Sequence, residues 1–174
     1  YEKVVRERGH RYGLPPAEEI CFLQGADETG QSPDQEWQRL LQQSREWLGE
    51  AEALAVVESN AAESNAQMEK NLRELIAAQD DIPVICGHEL FHDLNVLRRG
   101  ASTLLNARLL PLVAEFLACI RQALRQRDIQ APVVIVRSDG SLMSEDFTSE
   151  RPVETLLCGP AASAGGGMAL TGEQ

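Results

Sequence analysis

Basic charge, paired cysteines and long apolar runs are all scarce in this sequence, and each shortage removes a class of protein. Lys and Arg total 16 against 27 Asp and Glu, a formal net charge of −11 over 174 residues. No local cluster of Lys or Arg offsets that charge, so a phosphate backbone is repelled and nucleic acid is not an expected partner. Apolar runs are interrupted within about ten residues, short of the roughly 20 that a membrane-spanning helix needs, and no stretch reads as a leader with a cleavage site, so none is expected. A soluble cytoplasmic protein without membrane association is the resulting expectation. The 4 cysteines, Cys21, Cys86, Cys119 and Cys158, stand far apart among apolar residues with no C-x-x-C pair. They read as buried free thiols rather than as disulfides or metal ligands.

What is present is an alternation of short apolar runs and amphipathic stretches. The chain begins at Tyr1 inside a charged, helix-like stretch, which reads as a cut or processed start. Ile20–Leu23, Leu54–Val57 and Ile82–Cys86 are buried-strand candidates. Ser32-Pro33-Asp34-Gln35 opens a helix with Trp37, Leu40, Leu41, Trp47 and Leu48 as its apolar stripe, stopped by Gly49. Ser64-Asn65-Ala66-Gln67 repeats the cap pattern before Met68, Leu72, Leu75 and Ile76 at helical spacing. Strand, helix, strand, helix, strand predicts a βαβαβ unit with a largely parallel sheet. A long helical region from about residue 89 to 127, weakened at Gly100 and bent at Pro111, follows with Leu105, Leu109, Leu112, Phe116 and Ile120 as its apolar face. Val133–Val136 is a further strand, and Arg137-Ser138-Asp139-Gly140 is its turn. The chain is thus expected to be one α/β segment: residues 1–19 a helix and linker, 20–157 the α/β core, and 158–174 a helix of small residues.

Three stretches carry a resemblance. Gly87-His88-Glu89 is followed by Arg99, Ser102-Thr103-Leu104-Leu105-Asn106-Ala107 and Pro111. Then come Arg137-Ser138-Asp139-Gly140-Ser141-Leu142 and Arg151-Pro152-Val153-Glu154-Thr155-Leu156-Leu157-Cys158-Gly159-Pro160-Ala161-Ala162-Ser163. In order and spacing they resemble the motifs of the hydantoinase A/5-oxoprolinase family, with Gly87, Cys158 and Ser163 standing where that family usually has Ser, Ser and Gly. The resemblance implies a three-layer α/β/α, actin-like (ribonuclease H-like) ATPase fold. It further implies ATP and Mg as cofactors of the full-length enzyme and activation of a cyclic amide carbonyl before ring opening. Substrates in such a family are 5-oxoproline, hydantoins or N-methylhydantoin, and relatives carboxylate acetone. Partners implied are the remainder of the enzyme's own chain and a hydantoinase B-type subunit. The two D-x-G-G-T phosphate loops of the family do not occur in these 174 residues, so the segment alone is expected to be inactive and to bind no nucleotide.

The resemblance makes Glu89, Arg99, Thr103, Asn106, Ser138, Asp139 and Gly140 candidates for lining the cleft. Gly159, Pro160, Ala161 and Ala162 become candidates for a hinge beside the nucleotide. Asn106 also reads as a buried amide satisfying a neighbouring loop, and residues 137–140 as a plain β-turn. Gly159–Ala162 lacks the Lys-Ser/Thr ending of a phosphate loop and has Pro where amide donors are wanted, so it reads instead as a connecting helix. His88-Glu89-Leu90-Phe91-His92 matches H-E-x-x-H, the spacing that on a helix sets two imidazoles one turn apart for zinc. The family motif already accounts for His88 and Glu89, so no metal is assigned. A zinc metallohydrolase through His88 and His92 and a non-catalytic subunit-assembly module stand as the alternatives. Asp93 is a candidate cap for the helix that follows.

Overall fold

The computed structural model describes residues 2–16, 19–22, 38, 42, 53–58, 66–78, 82–91 and 95–172. The expected helix over residues 32–49 therefore falls almost wholly outside the described residues. The chain's contacts divide it into two compact units, Tyr1–Ala107 and Arg108–Gln174.

The first unit opens with helix α1 (Glu2–Arg8) and a 3-10 turn, Gly9–Tyr12. Ile20, Cys21 and Phe22, an expected strand, carry no strand pairing, and Leu23 lies outside the described residues. Strand β1 (Leu54–Val56), helix α2 (Gln67–Ala77) and strand β2 (Val84–Cys86) form a βαβ unit, the latter part of the expected βαβαβ. The strands pair in parallel, with Leu54 opposite Val84, Ala55 opposite Ile85 and Val56 opposite Cys86. Their core is Leu54, Leu72 and Ile76, flanked by Val56, Met68, Leu75, Ile82 and Val84. Leu72 and Ile76 lie one turn apart on α2, so both reach the sheet, and the third buried residue of that face is Glu69, three positions before Leu72. A carboxylate thus occupies a core position. The Ser64-Asn65 cap lies outside the described residues, and Ala66 at the N-cap makes no side-chain capping bond.

Helix α3 (Gly87–Leu90) is a single turn that follows β2 directly, and Phe91 after it is extended. The long helical region is thus two helices. The second, α4 (Val96–Gln126), runs through both Gly100 and Pro111. Its cap is Asn95, whose Oδ1 accepts from the amides of Leu97 at 3.0 Å and Arg98 at 3.3 Å; Asp93 lies outside the described residues. Of the expected apolar stripe of α4, Leu105, Leu112 and Phe116 are 40%, 62% and 56% exposed, while Leu109 and Ile120 are partly buried. Turned inward in the first unit are Leu97, Arg99, Thr103, Asn106 and Ala107. Polar groups set four and three residues apart, Arg99, Thr103 and Asn106, thus share the helix's buried face with Leu97 and Ala107.

By length and composition α4 is long and apolar enough to cross a membrane, which corrects the reading from run lengths alone. Its interruptions (Asn106, Arg108, Pro111 and Glu115) are too few to lower the mean hydropathy, 1.6, of its most apolar 18 residues.

In the second unit, β3 (Val134–Val136) and β4 (Leu142–Ser144) pair antiparallel, with Ile135 opposite Met143. The expected parallel sheet is thus replaced here by a hairpin, because only a short turn separates the strands and a parallel return needs a crossover. Ser144 caps helix α5 (Glu145–Glu150), its hydroxyl accepting from the Phe147 amide at 3.2 Å. A 3-10 turn, Pro152–Thr155, leads to helix α6 (Cys158–Thr171), which has no buried residue. The architecture is α/β, and among the described residues its sheets are one parallel pair and one antiparallel pair.

Candidate active site

Parallel strands collect ligands at their carboxyl ends, where chains leaving adjacent strands diverge. In the first unit that place is built by Glu58, two residues beyond β1, and His88, two residues beyond β2. Glu69 joins them from α2. Its carboxylate is 1% exposed and accepts three hydrogen bonds: Oε1 from the Glu58 amide at 2.7 Å, Oε2 from the His88 amide at 3.0 Å, and Oε2 with His88 Nδ1 at 2.6 Å. One buried acid therefore ties together the chain leaving both strands and orients an imidazole that is itself 15% exposed.

Around this core the remaining groups are in contact with one another. Arg99, 2% exposed, donates from Nη2 to the Glu58 carbonyl, and the Thr103 hydroxyl donates to the Arg99 carbonyl at 2.7 Å. Gly87 sits between these layers: a Cβ there would lie 3.1 Å from Val57 Cγ2 and 3.2 Å from Thr103 Oγ1. A side chain at this position would need Val57 or Thr103 to give by a few tenths of an ångström. The Glu58 carboxyl is pushed above the usual glutamate range, chiefly by burial and then by the Glu69 charge, with Arg99 and His88 opposing. Its Oε2 is buried with no hydrogen-bond partner among the described residues. Cys86, fully buried at the end of β2, donates its thiol to the Glu69 carbonyl at 3.5 Å, and burial pushes it up to about 11.

Of the expected cleft residues, Arg99, Thr103 and Asn106 come together on the inward face of α4, all nearly inaccessible. Glu89 lies beside them in sequence order but faces outward, in a two-pronged ion pair with Arg73 whose Nη1–Oε1 arm is 2.8 Å. Ser138, Asp139 and Gly140 belong to the second unit. They form the exposed β3–β4 turn, where Asp139 Oδ1 accepts from the Ser141 amide at 2.9 Å and hydroxyl at 2.6 Å, and Gly140 takes φ 84°. Those bonds hold the Asp139 carboxyl below the usual range. Because β3 and β4 are antiparallel, the argument from parallel strand ends does not reach residues 138–140; the Gly140 amide closes the turn on the Arg137 carbonyl at 3.0 Å, and the Ser138 amide ties it to the Glu154 carbonyl at 2.9 Å.

Gly159, Pro160, Ala161 and Ala162 form the first turn of α6, preceded by Leu157 at φ 60°. Pro160 offers no amide, so this turn is not a phosphate cradle. The H-E-x-x-H reading loses its premise, since α3 ends at Leu90 and Phe91 is extended, and a one-turn spacing of two imidazoles needs the helix to continue. His92 lies outside the described residues. Glu69, Cys86 and His88 bring ligand atoms within 4.8 Å of one another and could hold a metal ion, but the carboxylate, the Nδ1 atom and the thiol are already engaged with protein groups. The cysteines also depart from expectation. All are free, but only Cys86 is buried, while Cys21 and Cys119 are exposed.

Sequence reasoning missed Glu58 and Glu69. The signal for Glu69 was its place in the stripe Glu69, Leu72, Ile76, a charged residue at core spacing. Glu58 had none, because only the pairing of β1 with β2 brings it to His88.

These features define an α/β chain with an acid–imidazole cluster at the carboxyl ends of its parallel strands. The hydantoinase/oxoprolinase family model matches residues 99–174, the part of the chain that carries two of the three motif stretches and most of the first. It is 25% identical to the caprolactamase alpha subunit of Pseudomonas jessenii over 95% of its own length and 25% of that protein's. It is 29% identical to an uncharacterized protein of Methanocaldococcus jannaschii over 55% of its own length and 14% of that one's. The chain thus spans a quarter or less of these curated relatives. No solved structure matches it.

Proposed function

We propose that this chain is a segment of an ATP-dependent cyclic-amide hydrolase, supplying one wall of the cleft in which a lactam, hydantoin or oxoproline ring is opened. The observation that carries the reading is convergence. Arg99, Thr103 and Asn106, spaced as in the family motif, are buried together on one face of α4, and Arg99 reaches the carbonyl of Glu58 at the carboxyl end of β1. The caprolactamase likeness favours a small cyclic amide as substrate.

In the same reading the parent enzyme has an actin-like ATPase fold, works in the cytoplasm, and holds ATP and Mg through phosphate loops that are not among these residues. The first turn of α6 offers no phosphate cradle, so nucleotide is assigned to other parts of the parent. The parent's remaining chain and a B-type subunit are the proposed partners. The exposed Leu105, Leu112 and Phe116 of α4, and an α6 with no buried residue, are the surfaces they would cover.

The test is to express the parent reading frame, with any adjacent B-type subunit, and to assay caprolactam, 5-oxoproline and hydantoin for ring-opened product and ADP together. ATP-coupled opening of one of them is expected; ADP release without ring opening on all of them refutes the assignment. Calorimetric titration of the present chain with Mg-ATP should show no binding, since phosphoryl transfer rests on positioned phosphate and metal contacts.

A further inference from the structure

We propose that His88 is the proton-transfer residue of ring opening, with Glu69 fixing its Nδ1 as the protonated nitrogen so that Nε2 presents a lone pair at the carboxyl ends of β1 and β2. The proposal rests on the cyclic-amide reading. Its structural basis is independent of it.

Glu69 Oε2 lies 2.6 Å from His88 Nδ1 and also accepts the His88 main-chain amide, so one oxygen grips both the backbone and the ring of the same residue. Oε1 is held by the Glu58 amide at 2.7 Å. A carboxylate with three N–H donors is an acceptor, and the ring nitrogen facing it must carry hydrogen. In a neutral imidazole the other nitrogen then has none and acts as a base. Among the described residues His88 makes no hydrogen bond other than those to Glu69. A purely structural brace would be satisfied by the amide bonds alone. Holding the ring as well leaves a partly exposed imidazole with one nitrogen committed to Glu69 and, among the described residues, no hydrogen-bond partner at the other.

ATP held elsewhere in the parent activates the ring carbonyl in the functional reading, and the addition and cleavage that His88 serves then draw on water alone. Nε2 takes a proton from water as the water oxygen bonds to the ring carbonyl carbon. The same proton passes to the ring nitrogen as the C–N bond breaks, so cyclic amide and water give the open amino acid. Glu69 is a positioning residue: it stabilises the imidazolium that forms between these two transfers and does not itself take the proton.

The wild-type chain can be tested directly, because it holds only 3 histidines, His10, His88 and His92. Two-bond proton–nitrogen NMR correlations of histidine-labelled protein report which ring nitrogen is protonated, and His10→Gln and His92→Gln assign the His88 signals by elimination. The expected result is an Nδ1–H tautomer for His88. An Nε2–H tautomer, or a stoichiometric metal that is lost in Cys86→Ser, overturns the proposal. In the active parent, His88→Asn keeps a side-chain amide donor near the Nδ1 position but has nothing at Nε2. General acid–base catalysis contributes about 10²–10⁴-fold, so turnover should fall by that factor with KM little changed, and added imidazole should restore part of it. His88→Asn turning over within about 3-fold of wild type, against a fall of at least 10² from lost acid–base catalysis, refutes the role of His88 alone. A wild-type parent that opens no cyclic amide refutes that role together with the functional reading, and the two failures are thereby told apart.

Discussion

Replacing Glu69 with Gln changes one atom and removes the acceptor on which the first unit's polar cluster converges. The carboxylate accepts from the Glu58 amide, the His88 amide and the His88 ring. Glutamine keeps one acceptor oxygen and turns its NH₂ toward either the Glu58 donor or the two His88 donors, so at least one contact becomes donor against donor. A hydrogen bond to a charged group is worth about 1.5–3 kcal/mol and an orphaned buried donor costs about 1–3 kcal/mol, while partial hydration near the half-buried His88 recovers some of the loss. The expected net cost is about 2–4 kcal/mol, since such terms are not additive. With a urea slope of about 2 kcal/mol/M, the unfolding midpoint followed by far-UV circular dichroism should fall by about 1–2 M. Glu74→Gln, on the exposed side of the same helix, serves as control and should stay within about 0.5 kcal/mol. If Glu69→Gln matched that control, the claim that Glu69 ties the two strand ends together would be wrong.

Three further outcomes are expected. Glu58→Gln should stabilise the chain at neutral pH. Burial and the Glu69 charge raise this carboxyl, with Arg99 and His88 opposing, so the folded state binds its proton more tightly and the wild type loses stability as pH rises from the unfolded carboxyl range through the folded value. Urea midpoints of wild type and variant should converge as pH falls through that window, and a constant gap contradicts the assignment. Cys86, pushed up to about 11 and fully buried, should resist a thiol reagent at pH 8 while exposed Cys119 reacts; mass spectrometry of the labelled chain checks this, and modification of Cys86 in folded protein counts against it. In α6 a Cβ at Gly165 meets nothing within 4 Å, so Gly165→Leu should leave the chain's thermal melt unchanged or raised, a helix-interior Gly costing up to about 1 kcal/mol relative to Ala. In the parent the same change should lower turnover, since overpacking a close contact costs about 1–3 kcal/mol; unfolding of the present chain would instead place α6 in its core.

Local pattern determined much of this protein. The βαβ unit of β1, α2 and β2 was legible because Leu72 and Ile76 repeat at helical spacing between two short runs of apolar residues, and burial of that stripe against the strands is a local matter. The helix of small residues after Cys158, and the grouping of Arg99, Thr103 and Asn106, were likewise open to reading, the first from composition and the second from motif spacing. What the sequence could not decide depends on which surfaces face each other. Residues 133–136 read as a strand, but only pairing shows that the partner is Leu142–Ser144 running antiparallel, which makes Ser138, Asp139 and Gly140 part of the turn between the two strands. The leucines and Phe116 of α4 read as its buried stripe, yet the tertiary structure turns Arg99, Thr103 and Asn106 inward, because unmatched polar groups at the end of a parallel sheet need partners more than the helix needs apolar burial. The site itself was decided in the same way. Glu58, Glu69 and His88 are up to 30 residues apart in the chain, and only the parallel register that sets Val56 beside Cys86 carries the acid, the amide and the imidazole to one point.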